Sequence, residues 1–490
     1  MDSIVSSIVL LLLTYTLIHM ICMHARTKKR NYNYPPGPSL LTLVGNLSEI
    51  VQRPQQSLAK LAMIHGPIMQ LKLGQLTTIV ISSADIAKEI LQTHDLLFSN
   101  RRIPQAVIVQ NHDLYSMAFL PVSPLWRDLR KICNNQLFSS KTLDASQETR
   151  HKKLQELLSD VHRSSLKGEA VDIGSATFRT TINVLSNAIF SLDFVNSAGE
   201  AEEYRGIVEN LGIVIATPNL VDFFPVLKTV DPQGIRKRST TYVPKLFNIF
   251  DYLINKRLEL RGGENFVTNN DMFDSFLNIS QESGQKMDKE MFKHLLLDLF
   301  VAGTDTTSYA IKLAMTELIH NPDKMSKAKI ELAETIGIGN PMMESDITRL
   351  PYLQAIVKET LRLHPSAPLL LPRKAKIEME INGYIVPQGA QVLINAWATG
   401  RDPSMWENPN LFSPERFLGS KIDVKGRHFH LIPFGGGRRI CPGLPLAMRM
   451  LHLILGSFIN IFDWELENTV QLADLNREVA LRLIPIKINK

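Results

Sequence analysis

Residues 433–443 read Pro433-Phe434-Gly435-Gly436-Gly437-Arg438-Arg439-Ile440-Cys441-Pro442-Gly443. One cysteine stands at the neck of a glycine-rich loop, immediately ahead of an apolar, helix-prone run. A thiolate that binds a metal has to be shielded from water, yet its charge needs hydrogen-bond donors to stay deprotonated. Gly435, Gly436 and Gly437 permit backbone conformations closed to other residues and are expected to bring N–H groups close to the sulfur. Phe434 is placed to cover one face of a bound group. Arg439, two residues before the cysteine, offers a planar fork to a carboxylate. Cys441 is therefore the candidate metal ligand; the alternative for a lone cysteine is a buried free thiol beside a Gly-rich turn.

The pattern extends beyond the cysteine. Phe434, Gly437, Arg439, Cys441 and Gly443 fall at the spacing F-x-x-G-x-R-x-C-x-G, which resembles the haem-binding signature of the cytochrome P-450 superfamily. The resemblance implies a mainly α fold with a minor β-sheet, haem b lying between a long central helix and the cysteine loop, and the iron ligated by the Cys441 thiolate. Phe434 then covers the ring and Arg439 pairs with a propionate.

Further signatures follow the usual order. Ala302-Gly303-Thr304-Asp305-Thr306-Thr307 interrupts a long apolar run, where an unpaired buried carboxylate is costly. The local explanation is that threonine hydroxyls bond back to preceding carbonyls and Asp305 pairs with a cation. The segment also resembles the family's oxygen-activation motif A-G-x-D-T-T, which implies that Gly303 clears space for O2 while Asp305 and Thr306 organise water and deliver protons. Glu359 and Arg362 are three apart and share a helix face; with Arg416 of Pro414-Glu415-Arg416-Phe417 they resemble a structural lock. Trp126 and Arg130, at i and i+4, resemble the W-x-x-x-R helix whose indole N–H and guanidinium point at a propionate. Arg373 matches another propionate arginine. The resemblance thus makes Asp305 and Thr306 the catalytic candidates, and Trp126, Arg130, Arg373, Phe434, Arg439 and Cys441 the cofactor set.

The 490 residues contain no Ser/Gly-rich or charged linker after residue 40, so residues 41–490 are expected to form one catalytic domain. With 44% hydrophobic and 21% charged residues, composition excludes extensive disorder. A net charge of +6 is too small and dispersed for nucleic acid and suits a local basic face for a membrane or an acidic protein. Cys22, Cys133 and Cys441 cannot form a disulfide framework, which points to a reducing compartment; Cys133 is expected in a core helix. Residues 4–23 carry no formal charge and are followed by Arg26, Lys28, Lys29 and Arg30. That order predicts an uncleaved membrane anchor in residues 1–25 with the body on the cytosolic side of the endoplasmic reticulum, a buried soluble helix being the alternative. Residues 26–40 form a basic and Pro-rich hinge, with Tyr34-Pro35-Pro36-Gly37-Pro38 as a stiff non-helical spacer.

Short β-prone runs at 68–73 and 77–82 flank Gly74 and predict a hairpin. Apolar spacing of three to four predicts helices at 83–97, 141–164, 172–190, 242–260, 289–320, 322–336 and 352–363. Strand character returns at 381–387 and 391–396. Stretches 101–120 and 203–241 are the least periodic and read as loops, either ligand-contacting or merely connecting.

No flavin or nicotinamide domain is left over, so electrons must come from a partner, an NADPH-dependent flavoprotein reductase. The resemblance places Arg127, Lys131, Arg438 and Arg449 on the side of the haem that would meet it. The runs LLLPR at 369–373, NGYIVP at 382–387 and DVKGRHF at 423–429 resemble the plant microsomal branch rich in monoterpenoid and diterpenoid hydroxylases. Leu369, Leu370 and Leu371 with Leu299 and Ala302 read as an apolar cavity or as plain core. Val107, Ile108 and Val109 beside Gln105, Gln110 and Asn111 suit a mainly hydrocarbon ligand with one or two polar groups. The function implied is an NADPH- and O2-dependent monooxygenase acting on a hydrophobic plant metabolite, a terpenoid. Flavonoid, alkaloid or fatty-acid hydroxylation, a haem-thiolate isomerase or dehydratase without O2, and a binding-only haem sensor are the alternatives.

Overall fold

The computed structural model describes residues 33–39, 52–262, 271–282, 289–467 and 480–488; the expected anchor lies outside these residues. Helix α1 (Pro54–His65) leads into β1 (Ile68–Leu73) and β2 (Leu76–Ile81), paired antiparallel from Ile68↔Ile81 to Leu73↔Leu76. The two-residue turn between them needs Gly74 at φ +58, and a Cβ there would meet the Phe223 carbonyl oxygen at 2.4 Å. The hairpin forms as read.

This hairpin is one flank of a five-stranded sheet ordered β1-β2-β8-β5-β3, in which β3 is Asn100–Arg101, β5 is Arg373–Lys374 and β8 is Gln391–Ile394. Its register sets Arg101 directly opposite Arg373. Like charges facing each other across a ladder are destabilising, so this pairing asks for an anionic partner nearby. Val171–Asp172 (β4), Phe462–Leu466 (β9) and Arg482–Lys487 (β10) form a second sheet. The strand expected at 381–387 is instead a hairpin, β6 (Met379–Ile381) and β7 (Tyr384–Val386). Asn382 and Gly383, at φ +48 and +78, supply the left-handed pair that a tight turn of this kind requires.

Helices carry most of the chain: α2 (Pro124–Cys133), α3 (Gln147–Lys167), α4 (Ile173–Phe190), α5 (Ala198–Ala216), α6 (Ile235–Arg261), α7 (Lys289–His320), α8 (Pro322–Ile336), α9 (Pro351–Leu363) and α10 (Leu444–Ile461). The expected helix at 141–164 is broken at Ser146, whose hydroxyl donates back to the Thr142 carbonyl at 2.9 Å. The stretch 203–241 is not a loop: it contains most of α5 and the start of α6. Gly206 and Gly212 dilute the apolar stripe of α5, whose buried face is Ile207, Val208, Leu211 and Val214.

Helix α7 divides two cores. On one side α8, α9 and α10 pack through Leu332, Ile356, Leu361, Leu453 and Phe458. On the other, α4 and α6 contribute an aromatic cluster with Phe178, Phe190, Phe250, Phe292 and Phe300. Cys133 is fully buried in this second core, as expected. Helix α10 is apolar and long enough to cross a membrane by length and composition, but it is buried continuously from Met450 to Ile461 and is a core helix.

Two features brace the frame. Glu359 accepts both Arg362 Nε and Nη2 at 2.7 Å, Arg416 Nε at 3.1 Å and the Ser413 N–H at 2.8 Å. Arg362 also donates to the carbonyls of Gly400 and Pro409, so the E-x-x-R pair with its third arginine ties α9 to the segment that leads into the cysteine loop. The Pro-rich segment is not a free spacer. Pro36 accepts the Gln70 N–H at 2.8 Å, Asn33 accepts the Ile385 N–H at 2.8 Å, and a Cβ on Gly37 would lie 1.9 Å from the Gln70 oxygen. Residues 33–37 are thus strapped across β1 and the β6–β7 hairpin.

Candidate active site

Between α7 and the cysteine loop lies a cavity of about 380 Å³. Its floor is Phe434, Gly435 and Cys441, and its roof is Leu299, Ala302, Gly303 and Thr306 of α7. Those four roof residues recur at helical spacing and share one face. Gly303 keeps that face low, since a Cβ would come within 3.2 Å of Leu185 Cδ2.

The loop is fixed by its own backbone. Cys441 donates its N–H to the Phe434 carbonyl at 3.0 Å and Gly435 donates to Ile432 at 2.9 Å. Gly437 sits at φ +65, and a Cβ there would lie 1.9 Å from the Leu91 oxygen; only glycine fits. Cys441 lines the cavity and is a free, accessible thiol. Burial pushes its pKa up, while the N–H groups of Gly443 and Leu444 and the charge of Arg130 pull it down. Donors that would steady a thiolate thus stand at the start of α10, after the cysteine, while Gly435 and Gly437, at φ +73 and +65, set the loop's path.

Four guanidinium groups collect at one edge. Arg130 donates to the Ile440 carbonyl at 2.6 Å. Arg373 donates to Phe98 at 3.2 Å and Gly436 at 3.4 Å, and Arg439 to Ser99 at 3.0 Å and Met117 at 3.1 Å. Arg101 donates to Ala118 at 3.3 Å and Leu371 at 2.6 Å. All four line the cavity, and among the described residues none of them has an ion-pair partner. Burial, and for Arg101 and Arg439 the mutual repulsion as well, depresses their pKa values, Arg373 and Arg439 to about 10. No motif in the sequence surrounds Arg101; its cross-strand pairing with Arg373 is visible only in the sheet. Trp126 also lines the cavity: its indole N–H donates to the Met117 carbonyl at 3.1 Å, and its ring lies 4.7 Å from the Arg439 guanidinium. The same carbonyl serves both side chains, so Trp126 stacks on the arginine that faces the edge.

A buried edge with four cations and only neutral carbonyls as acceptors calls for a ligand bearing carboxylates. A single thiol on the floor, with no cluster of three His, Cys, Asp or Glu among the described residues, calls for a metal that arrives with its other ligands. Apolar walls between the two suit a flat macrocycle. Haem meets all three demands.

The Cytochrome P450 family model matches residues 35–489. The chain belongs to that family. It is 51% identical over 451 residues to geraniol 8-hydroxylase of Catharanthus roseus, covering 92% of this chain and 91% of that one. It is 46% identical over 491 residues to drimenol monooxygenase of Persicaria hydropiper, covering 96% and 97%. A zebra fish cytochrome P450 solved with progesterone superposes with a TM-score of 0.72 at 25% identity, over 89% of this chain and 98% of that one. The protein is a haem-thiolate monooxygenase that uses O2, a hydrophobic substrate and electrons from NADPH delivered through a redox partner.

In this P450 the two oxygen-segment candidates part. Thr306 lines the cavity, and its hydroxyl donates back to the Ala302 carbonyl at 2.7 Å. Asp305 is not on the cavity wall. Its carboxyl turns toward α5, where burial and Glu209 push its pKa up and Arg205 and Lys312 pull it down. Of the four cations expected to face a partner, Arg127 and Lys131 stand exposed on α2. Arg438 is half-exposed but paired with Asp95 at 2.8 Å. Arg449 is tied into a network with Asp144 and with Glu344, which also holds the buried Arg150, so it belongs to the scaffold.

Proposed function

We propose that this P450 hydroxylates a terpenoid alcohol of monoterpenoid or diterpenoid size. The observation that carries this reading is the cavity wall above Cys441, where Val184, Leu185, Leu299, Leu361, Leu370 and Leu371 offer hydrocarbon contacts and few polar ones. Such a wall binds by burying apolar area, at roughly 25 cal/mol per Å², and leaves orientation to the few polar groups present. The two relatives named above are a geraniol 8-hydroxylase and a drimenol monooxygenase, terpenoid hydroxylases by name, which supports the same reading.

Within it the residues take these roles. Cys441 would hold the iron as a thiolate, with the N–H groups of Gly443 and Leu444 to steady it. Arg101, Arg130, Arg373 and Arg439 would bind the propionates, with Trp126 supporting Arg439, and Phe434 would pack against the ring. When bound, haem would supply the monooxygenase chemistry, one oxygen atom going to the substrate and the other to water at the expense of two electrons from the redox partner. Thr306 holds water at the cavity roof once its hydroxyl turns from Ala302, and Asp305 passes protons from the α5 side of the helix. Arg127 and Lys131 steer an acidic flavoprotein reductase. Residues 1–25 anchor the protein in the endoplasmic reticulum membrane, residues 26–40 join anchor to body, and residues 41–490 form the catalytic domain.

The deciding experiment reconstitutes the enzyme with reductase and a panel of plant terpenoids, flavonoids and fatty acids, scoring the low-to-high-spin optical shift and oxygenated product. Terpenoid alcohols are expected to give both. Turnover of flavonoids or fatty acids with no terpenoid turned over would refute the substrate class while leaving the haem chemistry intact.

A further inference from the structure

Asp298 lies on α7 one turn before Ala302, and it is the only carboxylate lining the cavity among the described residues. Its side chain keeps 8% exposure. An ionised carboxylate in an otherwise apolar wall is costly unless its lone pairs are filled, and three donors fill most of them. Oδ1 accepts the Ser116 hydroxyl at 2.7 Å and faces His112 Nε2 at 3.2 Å. Among the described residues Oδ2 accepts only the Ala118 N–H, at 3.3 Å. A carboxylate has about four acceptor sites, so Oδ2 has one in hand.

The side remote from the cavity is braced. His112 Nδ1 lies 3.0 Å from His294 Nδ1. Burial, with His112 adding to it, drops the pKa of His294 to about 4, so its ring is neutral at pH 7. Because the carboxylate must receive a proton donor, His112 carries its hydrogen on Nε2. Of the two facing Nδ1 atoms one donates and the other accepts, and in either arrangement His112 Nε2 faces the carboxylate. Tyr115 stacks on His294 at 5.0 Å and Phe247 meets it edge-on at 5.0 Å. His294 thus holds the His112 ring in place against Asp298, which is the acceptor at the end of the row.

The remaining polar groups on this part of the wall are donors already engaged. Thr306, Thr307 and Ser366 donate to the carbonyls of Ala302, Gly303 and Thr306. The four guanidiniums sit at the haem edge.

We infer that Asp298 is a specificity-determining residue whose Oδ2 accepts a hydrogen bond from the hydroxyl of the substrate, fixing which carbon faces the iron. The inference rests on the alcohol reading proposed above. A hydrogen bond to a charged acceptor is worth more than one to a neutral acceptor, so an alcohol is expected to bind about tenfold more tightly than its methyl ether, which fills the same wall but has no donor.

The test is a four-corner cycle read by optical titration of the holoenzyme: an alcohol and its methyl ether, against the natural protein and Asp298→Asn. The natural protein is expected to prefer the alcohol about tenfold, and the variant about twofold, with product spread over more positions. Ser116→Ala, which loosens the loop without removing the acceptor, is expected to keep the preference. If Asp298→Asn weakens alcohol and ether alike, Asp298 only pins the loop and the inference falls. Equal affinity of the natural protein for the two ligands overturns it without any variant. If no terpenoid binds, the substrate class fails separately, and the alcohol and ether pair is drawn from the class that does bind.

Discussion

Asp305 and Thr306 are adjacent in sequence and face different surroundings. One residue step on a helix is about 100°, enough to put the hydroxyl on the cavity wall and the carboxyl against α5. The motif made both candidates legible; the division of surroundings between them was not, because Arg205 and Glu209 come from a stretch read as loop. A carboxyl whose folded pKa is raised holds its proton more tightly in the folded state. Its contribution favours folding as the pH falls through that value and opposes folding above it, where it is ionised. Asp305→Asn is therefore expected to leave the thermal midpoint at pH 7.5 unchanged or slightly raised, while product formed per NADPH falls severalfold. A lowered midpoint with unchanged coupling would assign Asp305 to the scaffold instead. The cysteine loop was the most legible part of the site, because Gly437 answers to one steric fact and Cys441 to one chemical one. The identity of the sulfur's N–H donors was not legible, since it depends on where α10 begins.

Among elements, helices with strong apolar periodicity appear where the spacing puts them, α7 and α8 to the residue. Misses cluster where punctuation is subtle: Asn382-Gly383 inside a strand-like run, Ser146 inside a helix-like one, and glycines thinning the stripe of α5. Helix α9 shows how an element is held by a few polar groups. Glu359 and Arg362 are both 0% exposed, and the glutamate satisfies two arginines and a backbone N–H. Removing it leaves Arg362 buried without its counter-charge, which typically costs about 3–5 kcal/mol. Glu359→Ala is expected to lower the denaturant midpoint accordingly and to cut the yield of haem-loaded protein, measured by the reduced-CO spectrum per mole of chain. A loss below about 1 kcal/mol would mean that water replaces the pair.

Over the whole molecule, the net charge of +6 says little until its placement is known. Arg127 and Lys131 are exposed on α2, the helix that also carries Arg130 to the cavity and to the Ile440 carbonyl, so a partner docked on them comes near the cysteine loop. Arg438 and Arg449, equally plausible from sequence, are engaged by Asp95, Asp144 and Glu344, pairings that join residues more than 100 apart in the chain and leave no local trace. Turnover is expected to require added reductase and to fall as salt rises from 50 to 500 mM, since exposed charges are screened within about 10 Å at 0.1 M. Arg127→Ala with Lys131→Ala should raise the apparent KM for reductase severalfold and leave the substrate-induced spin shift intact. Salt-independent turnover would remove the steering role.

The cross-strand pair of Arg101 and Arg373, with Arg130 and Arg439 beside it, carries a consequence for the life of the protein in a cell. A chain that has folded without its dianionic partner holds four crowded cations against neutral carbonyls, and so starts from a weakened native state. Haem binding to the folded form alone adds stability in proportion to the logarithm of its concentration over its dissociation constant. Small losses of folding free energy translate into severalfold changes in abundance through chaperone and protease triage. The arginine edge is therefore also an inspection point: chains that miss their haem are expected to be cleared first, and the amount of enzyme in cells is expected to rise and fall with the haem supplied to them.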